Sequence, residues 1–416
     1  MKTFIDFLTE EKDELGHGSD KLKHIHHPED RPLLHGKKGF EHTVGALTQA
    51  HEHIKSGKKD SGLTMKYDGS PAIVFGHHPK TGKFFVATKS AFNKNPKINH
   101  TVDDIKLHHG DKPELAAKLY HALEHLPKVT PKKGVYQGDL MFSHGDVVHN
   151  PEGSASFKPN TITYTAHGQD ANKIKNAKVG VVVHQQYHGN NIEDMKASPT
   201  IEHKFRQNDD VWHKTAEHDT STTDYSKVNQ IQFQKHIDAA KKIHDEHGKM
   251  MYPLTEPHQG EGGHMVTYIN QTVRKGEKPS ARGLQQHILD KAKAAASKLK
   301  TAKAANVKHA EAEEHVNHIQ KNKEYYDNLF KMHQHIAKAK DVLVNTLNQH
   351  HGGLSHHIDN QEANPEGFVV NHKGAPTKLV NRQEFSRANL LRNRKCLYLK
   401  NISEKIRRVI LVLQVV

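Results

Sequence analysis

The sequence predicts an α+β protein in which a strand-rich core is interrupted by a long helical insertion. Short apolar and β-branched runs dominate residues 61–200 and return after residue 356. Residues 226–350 instead carry apolar side chains at helical spacing within stretches rich in Lys, Ala, His, Gln and Glu. Hydrophobic residues make up only 34% of the chain, which indicates a moderate core with long solvated segments.

The N-terminal region predicts one helix after a polar stretch. Residues 1–35 are weakly periodic, and Pro28 and Pro32 argue against a long helix there. From Phe40 to Ile54 the apolar residues recur every three or four positions, so we expect an amphipathic helix that ends at Gly57.

The core region predicts strands around a single helix, Leu115–Leu126. The predicted strands are Leu63–Tyr67, Pro71–Phe75, Lys83–Thr88, Val135–Phe142, Thr161–Thr165 and Val179–Tyr187. Val181–Val183 has no polar alternation, which predicts burial on both faces of a sheet. Strands resume at Gly367–Asn371 and Lys378–Val380.

The pattern of the insertion predicts two or three long helices, with interruptions near Pro253–Gly263 and Gly276–Pro279. Its apolar positions at helical spacing include Val316, Ile319, Leu329, Met332, Ile336 and Ala339. After His372 the chain has no histidine and becomes basic, then apolar, and we assign this end no function. The predicted divisions are 1–60 (polar segment and helix), 61–200 (first part of the core), 201–355 (mainly helical basic insertion), 356–390 (closing strands of the core) and 391–416 (atypical basic and apolar tail).

The charge balance predicts a polyanionic partner, nucleic acid being the natural one. Lys and Arg number 61 against 47 Asp and Glu, a net charge of +14. A basic helix is predicted to contact phosphates without reading bases, although a solvated helical face explains it equally well; its lysines are Lys291, Lys293, Lys298, Lys300, Lys303 and Lys308. Trp212 and Tyr225 either stack on a base or pack in the core, and core packing is favoured.

Several classes of protein are excluded or disfavoured. A single cysteine, Cys396, forms no internal disulfide, which favours a reducing compartment. Residues 1–14 lack the apolar core of a signal peptide, and the aliphatic run Val409–Leu413 is far shorter than the roughly 20 residues that span a bilayer. We therefore expect a cytoplasmic protein without a membrane partner. The 39 histidines pair no more often than chance allows, so a metal site at His24, His26 and His27 is disfavoured.

The motif with the clearest chemistry is Lys66-Tyr67-Asp68-Gly69, which ends one predicted strand just before another. A lysine at a strand end that faces a pocket suits a covalent nucleophile, and Gly69 permits close backbone approach. Nucleophilic attack requires an unprotonated amine, whereas a free lysine has a pKa near 10.4. We expect neighbouring cations, Lys89 and Lys378, to lower that pKa together with burial and a metal.

This motif resembles that of the covalent nucleotidyltransferases, the superfamily of ATP-dependent DNA and RNA ligases and capping enzymes. Lys66–Gly76 is especially similar to uncharacterised tailed-phage proteins of that superfamily. The later family motifs are matched in order by Thr88–Phe92, Tyr136–Leu140, Val179–Tyr187, Glu366–Val370 and Lys378–Val380.

The resemblance implies a ligase-type fold, with twisted antiparallel sheets flanking a nucleotide pocket. It implies that Lys66 takes AMP from ATP as a phosphoramide and that Lys378 assists catalysis. Mg²⁺ would lie on Asp139 and Glu366. The implied nucleotide contacts are Met65, Asp68, Gly69, Lys89, Asp139, Tyr187, Glu366 and Lys378.

The predicted activity is ATP-dependent ligation of polynucleotide ends, joining a 5′-phosphate to a 3′-hydroxyl. Too few residues follow Lys378 for an OB-fold barrel, so no OB domain is expected and RNA is the preferred substrate. A minimal DNA ligase joining nicked ends is one alternative. A catalytically inactive nucleic-acid-binding phage protein is another, because Pro71 and Val380 replace basic residues common in ligases; Lys373 or Arg382 are candidate substitutes. No oligomeric state is predicted.

Overall fold

The computed structural model describes residues 25–57, 62–254, 261–350 and 352–386, to which every structural statement below refers. They form a mixed α+β structure, as predicted. The chain is divided into two units. The sheet unit comprises 25–28, 41–57, 62–233, 340–350 and 352–379. The helical unit comprises 29–40, 234–254, 261–339 and 380–386.

The strands of the sheet unit form three sheets. In chain order they are β1 (Leu63–Lys66), β2 (Ala72–His77), β3 (Phe84–Ala87), β4 (Val135–Ser143), β5 (Val148–His149), β6 (Ala155–Phe157), β7 (Thr163–Ala166), β8 (Val179–His188), β9 (Lys196–Ser198), β10 (Val211–Thr215), β11 (Leu354–Ile358), β12 (Gln361–Ala363), β13 (Gly367–His372) and β14 (Ala375–Leu379). The first sheet has the order β1-β13-β14. The second is β10-β8-β4-β2-β3 with β9 also on β8, and the third is β12-β11-β7-β6-β5. The β8–β10 pair is parallel and the other strand pairs are antiparallel.

The α-helices lie before, between and after these strands. They are α1 (Arg31–Ser56), α2 (Val102–His109), α3 (Pro113–His125), α4 (Gly168–Asn176), α5 (Lys227–Met251), α6 (Glu261–Lys275), α7 (Ala281–Ala296), α8 (Ala302–Lys321) and α9 (Lys323–Leu347). Helix α1 begins nine residues before the predicted Phe40, with a non-helical kink at Gly36 (φ 54°, ψ −132°). None of the described helices is both long enough and apolar enough to cross a membrane.

The helical region 227–347 contains five helices, so the prediction of two or three was wrong. The two breaks that were not predicted, at 297–301 and at Asn322, contain neither Pro nor Gly. Thr301 caps α8 by accepting a hydrogen bond from the Ala304 N–H, and Asn322 ends that helix with a backbone bond to His318. Polar residues of this kind begin or end a helix without the Pro or Gly that sequence patterns detect best.

One face of the second sheet packs on α3, and the opposite face carries Asp139, one of the predicted metal ligands. Side chains of Ile73, Phe75, Tyr136 and Val181 form a core with Leu119 of α3 and its neighbours. Full burial of a leucine such as Leu119 contributes about 2–3 kcal/mol, which fixes α3 against this face. Because side chains alternate along a strand, Gln137 and Asp139 of β4 lie on the face opposite Tyr136.

The segment after β10 joins the first sheet to the second. The Met65 N–H donates to the Ala216 carbonyl (2.6 Å), and the His218 N–H donates to the Leu63 carbonyl (3.0 Å). The Ala216 N–H in turn donates to Val183 of β8 (2.8 Å). The end of β1, which carries Lys66, is thereby held beside the second sheet.

Candidate active site

An ion pair between Lys66 and Glu366 lies at the centre of the site. Lys66 ends β1 directly opposite Gly367, the first residue of β13, so Glu366 falls beside it. The Lys66 Nζ is 2.5 Å from the Glu366 Oε1, with the two side chains 31% and 10% exposed. The register of one antiparallel pair therefore brings together the predicted nucleophile and a predicted metal ligand.

The surroundings of the Lys66 amine are acidic. Burial acts to lower its pKa, but Glu366, Asp139 and Asp68 outweigh burial and hold the pKa above the ordinary lysine value. We expected the cations Lys89 and Lys378 to depress it, whereas the largest influences on this amine are burial and the three carboxylates. The amine is accordingly protonated at neutral pH in this structure.

Glu366 is a carboxyl group adapted to hold a proton or a cation. Burial raises its pKa, Lys66 opposes that rise, and Asp68 and Asp139 add to it, giving a value of about 7. Its Oε1 faces Lys66, whereas its Oε2 is buried without a hydrogen-bond partner among the described residues. A buried, unpartnered carboxylate oxygen fits a cation ligand, and Mg²⁺ prefers such oxygens. Glu366 therefore fits the predicted metal ligand, and Asp139, on β4 of the second sheet, lies near enough to raise its pKa further.

The raised pKa of Glu366 predicts a pH dependence of stability that Glu366→Gln removes. The folded state binds this proton more tightly than an unfolded carboxyl of pKa 4.5 does. The proton therefore stabilises the folded state, and the full stabilisation is present below pH 4.5. Relative to the variant, the wild-type free energy of unfolding should fall as pH rises from about 4.5 to about 7, then level off. Urea unfolding of both proteins at pH 5, 6, 7 and 8 checks this. A constant difference across that range would contradict it.

Asp139 lies in the middle of the second sheet. It pairs with Ala72 of β2 and with Val182 of β8. The Nε2 of His184 is 3.6 Å from its Oδ1. His184 occupies a bulge, because Gln137 pairs with Gln185 whereas Gly138 pairs with Val183. Our sequence reasoning missed His184, since a bulge that redirects one side chain leaves no mark on the apolar run.

Asp68 has a structural role in addition to its predicted nucleotide contact. Its carboxylate accepts hydrogen bonds from Asn160 Nδ2 (2.8 Å) and from the backbone N–H groups of Thr161 (2.6 Å) and Ile162 (3.0 Å). Its own N–H donates to the Tyr164 hydroxyl (2.7 Å). Asp68 thus ties the loop after Lys66 to the segment that enters β7.

Gly69 permits a close backbone approach, as predicted, but the loop approaches β4 of the same chain. A Cβ at this position would lie 2.4 Å from the Asp139 Cβ and 3.1 Å from the Leu140 carbonyl oxygen. Any larger residue would push the loop away from β4. Glycine here brings the Lys66 loop into contact with Asp139.

Tyr187 is part of the core on the same sheet face as Asp139. It is 2% exposed, donates to the Gln137 Oε1 (2.6 Å) and packs against Phe92 at 4.9 Å between ring centroids. Its ring is covered by apolar neighbours of the short helix after β3. Contact with a base remains a prediction that requires this cover to move.

The three remaining predicted residues differ in their placement. Lys378 of β14 pairs with Val369, which pairs with Thr64, so Lys378 and Lys66 lie on the same face of the first sheet. Lys89 begins the short helix after β3 and is exposed. Met65, by the alternation along β1, faces away from Lys66.

The side of β1 that Met65 faces lines an open cavity of about 550 Å³. Tyr67, Lys214 and His218 also line it, and burial lowers the pKa of His218 to about 4. The cavity therefore belongs to the face of β1 opposite the Lys66–Glu366 pair, and none of the predicted catalytic side chains lines it.

Other predicted contacts are engaged elsewhere. Arg382, a candidate substitute for the missing lysine, donates to Asp30 Oδ1 and Oδ2 (both 2.8 Å) and to Asn270 Oδ1 (2.8 Å) within the helical unit. Trp212 and Tyr225 are buried, as core packing predicts. His24 and the tail 391–416 lie outside the described residues.

The predicted basic helix is two helices and a turn. Lys291 and Lys293 belong to α7, Lys298 and Lys300 to the following turn, and the last two lysines of the set, Lys303 and Lys308, to α8. All six are exposed. Lys308 pairs with Glu311 (2.6 Å).

Comparison with known proteins identifies a family but no activity. No curated protein and no solved structure matches the chain. One family model matches residues 21–394, nearly the whole chain, and that family is described as one of unknown function. The chain therefore belongs to the DUF6267 family.

Proposed function

We propose that the protein is an ATP-dependent, ligase-like nucleotidyltransferase whose nucleophile is Lys66. The observation that carries this proposal is the meeting of Lys66 with three carboxylates, those of Glu366, Asp139 and Asp68. Acidic groups so close together repel one another, which is costly unless cations neutralise them. Transfer of a nucleotide to an amine uses a lysine as the nucleophile and a divalent cation to neutralise the phosphates. A lysine beside carboxylates that suit such a cation supports this chemistry.

The first reaction forms one bond and breaks one bond. The Lys66 nitrogen attacks the α-phosphorus of ATP, and the bond from that phosphorus to the bridging oxygen of the β-phosphate breaks. Pyrophosphate leaves with the electron pair, and AMP stays on Lys66 as a phosphoramide. Lys378, on the same sheet face, is suited to neutralise phosphate oxygens.

Lys66 must lose a proton before it attacks, and Glu366 is placed to receive it. The carboxylate oxygen is 2.5 Å from the amine, within reach for direct proton transfer once the positive charge of a bound cation has offset the carboxylates that raise the pKa of Lys66. Bound Mg²⁺ would supply positive charge to the phosphates and to the acidic cluster. Asp139 and Glu366 would hold this ion.

The second half of the proposed reaction uses nucleic acid ends. A 5′-phosphate oxygen attacks the AMP phosphorus and releases Lys66, and a 3′-hydroxyl then displaces AMP to join the strands. RNA is the proposed substrate, and the exposed lysines of α7 and α8 support binding to phosphates of any sequence. Nicked DNA is the alternative that the substrate test must separate.

The test is covalent labelling with ATP carrying the label at the α-phosphate. With Mg²⁺ present, label should remain on the denatured wild-type chain, and Lys66→Ala should reduce it to background. Lys83→Ala, at an exposed lysine on the neighbouring hairpin, is the matched control and should label normally. Labelled protein offered nicked RNA, nicked DNA and single-stranded RNA ends should lose its label fastest to RNA.

The same measurements identify the non-catalytic alternative. The raised pKa of Lys66 and its ion pair with Glu366 favour this alternative, because a protonated lysine in a salt bridge is a poor nucleophile. In that case neither ATP nor GTP leaves label on the chain, while nucleic acid binding persists and weakens with salt. Labelling of Lys66→Ala at the wild-type level would also overturn the proposal.

A further inference from the structure

A second cluster of metal-ligand side chains lies on α3, away from the Lys66 site. His121, Glu124 and His125 occupy positions i, i+3 and i+4, so they share one face of that helix. Each offers a nitrogen or a carboxylate oxygen, and these atoms all lie within 4.8 Å of one another. Among the described residues, this is the one group of three or more His, Cys, Asp or Glu side chains whose ligand atoms lie so close together.

The packing of α3 places these side chains along the edge of its buried face. Ala116, Leu119 and Ala122 are buried against the second sheet. The face next to this apolar stripe carries His121 and His125, the latter only 8% exposed, with Glu124 at the solvent edge. The backbone is therefore fixed, and only side-chain rotation is needed to adjust the three donors.

The spacing fits a small transition-metal ion. Donors 2.0–2.1 Å from a tetrahedral ion lie about 3.4 Å apart. The Nε2 of His125 and the Oε2 of Glu124 are already 3.6 Å apart. The Nδ1 of His121 is buried without a hydrogen-bond partner among the described residues, so no structural bond has to be broken for ligation through it.

Groups around the cluster can support a metal. Asp210 places its Oδ2 3.8 Å from the Nδ1 of His125, just beyond hydrogen-bonding distance. The Lys128 ammonium lies between them and donates to that Nδ1 (3.1 Å) and to Asp210 (2.5 Å). Ligation through the Nε2 of His125 puts the imidazole proton on Nδ1, so His125 would then replace Lys128 as a donor to Asp210, and that carboxylate would orient the ring. His144, in the turn after β4, is exposed and its ring is 6.4 Å from that of His121, within reach as a fourth ligand.

We infer that α3 carries a Zn²⁺ site formed by His121, Glu124 and His125, with Asp210 as a positioning residue behind His125. Two imidazoles and a carboxylate match the ligand preference of zinc better than that of Mg²⁺ or Ca²⁺. Through Asp210 and His144 the ion would join α3 to the start of β10 and to the turn after β4. This site is independent of the proposed nucleotidyl transfer.

The test must separate one built site from diffuse binding to 39 histidines. Purified full-length protein is dialysed against Zn²⁺ buffered by a competing chelator, and retained metal is counted. Wild type should retain one equivalent. Glu124→Gln should weaken binding at least about 10-fold, Asp210→Asn about 10–100-fold and His121→Gln at least about 100-fold. His309→Gln, at an exposed helical histidine, should bind as wild type does.

A second readout is the thermal unfolding followed by the fluorescence of Trp212, two residues after Asp210. Zn²⁺ should raise the midpoint of wild type and of His309→Gln, but not that of His121→Gln. If His121→Gln fails to fold, Glu124→Gln decides, because Glu124 is exposed. Retention of no Zn²⁺ by wild type, or equal retention by Glu124→Gln and His309→Gln, would overturn the assignment.

Discussion

Lys66→Arg is expected to abolish covalent labelling by ATP while leaving the sheet unit folded. Arginine keeps the positive charge that Glu366 faces and presents donors suited to a carboxylate. It does not give up its proton in a protein, so it supplies no nucleophilic nitrogen. Label should fall at least about 1,000-fold, whereas the free energy of unfolding should change by less than about 1 kcal/mol.

Lys66→Ala is the informative comparison, because it removes both the nucleophile and the charge. Removing one partner of a buried pair leaves the other without compensation, and this typically costs about 3–5 kcal/mol. Glu366 avoids part of that cost by binding a proton, since its pKa is already about 7. Labelling by Lys66→Arg above background would show that the nucleophile lies elsewhere.

Asp68→Ala should destabilise the sheet unit by about 3–5 kcal/mol, because it leaves two buried backbone N–H groups without acceptors. Those groups belong to Thr161 and Ile162, which bond to Asp68 Oδ2. Asp68→Asn keeps an acceptor oxygen and should cost only about 1–2 kcal/mol. Urea unfolding followed by Trp212 fluorescence measures both, since this single tryptophan is buried against Phe142 and Phe157.

The two substitutions also separate the structural from the chemical role of Asp68. If Asp68 acts only as an anchor, Asp68→Asn should label at a rate close to that of wild type. A loss below about 1 kcal/mol in Asp68→Ala would contradict the anchoring role, because such a loss is too small for two unsatisfied buried donors.

Much of the core was predictable because its strands are apolar runs of ordinary length. The predicted bounds of β1, β4, β8 and β13 differ from the observed ones by one residue at most. These features depend on local pattern, and local pattern is what a sequence displays most directly.

The electrostatics of the site were not predictable in the same way. We expected cations around Lys66, and the structure surrounds it with carboxylates. Which charges reach the amine depends on the register of β1 with β13, and that register has no sequence signal. The hydrogen bonds of Asp68 join residues more than 90 positions apart, beyond the range of any periodicity.

The pairing of β1 with β13 controls when the site can assemble. Closing a chain of about 300 residues costs about 5 kcal/mol of loop entropy before any contact repays it. During synthesis, β1 leaves the ribosome long before β13 exists, and the intervening helices have time to fold first. A polypeptide released before β13 would lack both Glu366 and the strand that pairs with β1, which carries Lys66. Under the proposed function, such an early fragment should therefore take up no label from ATP, and reactivity should await completion of the sheet.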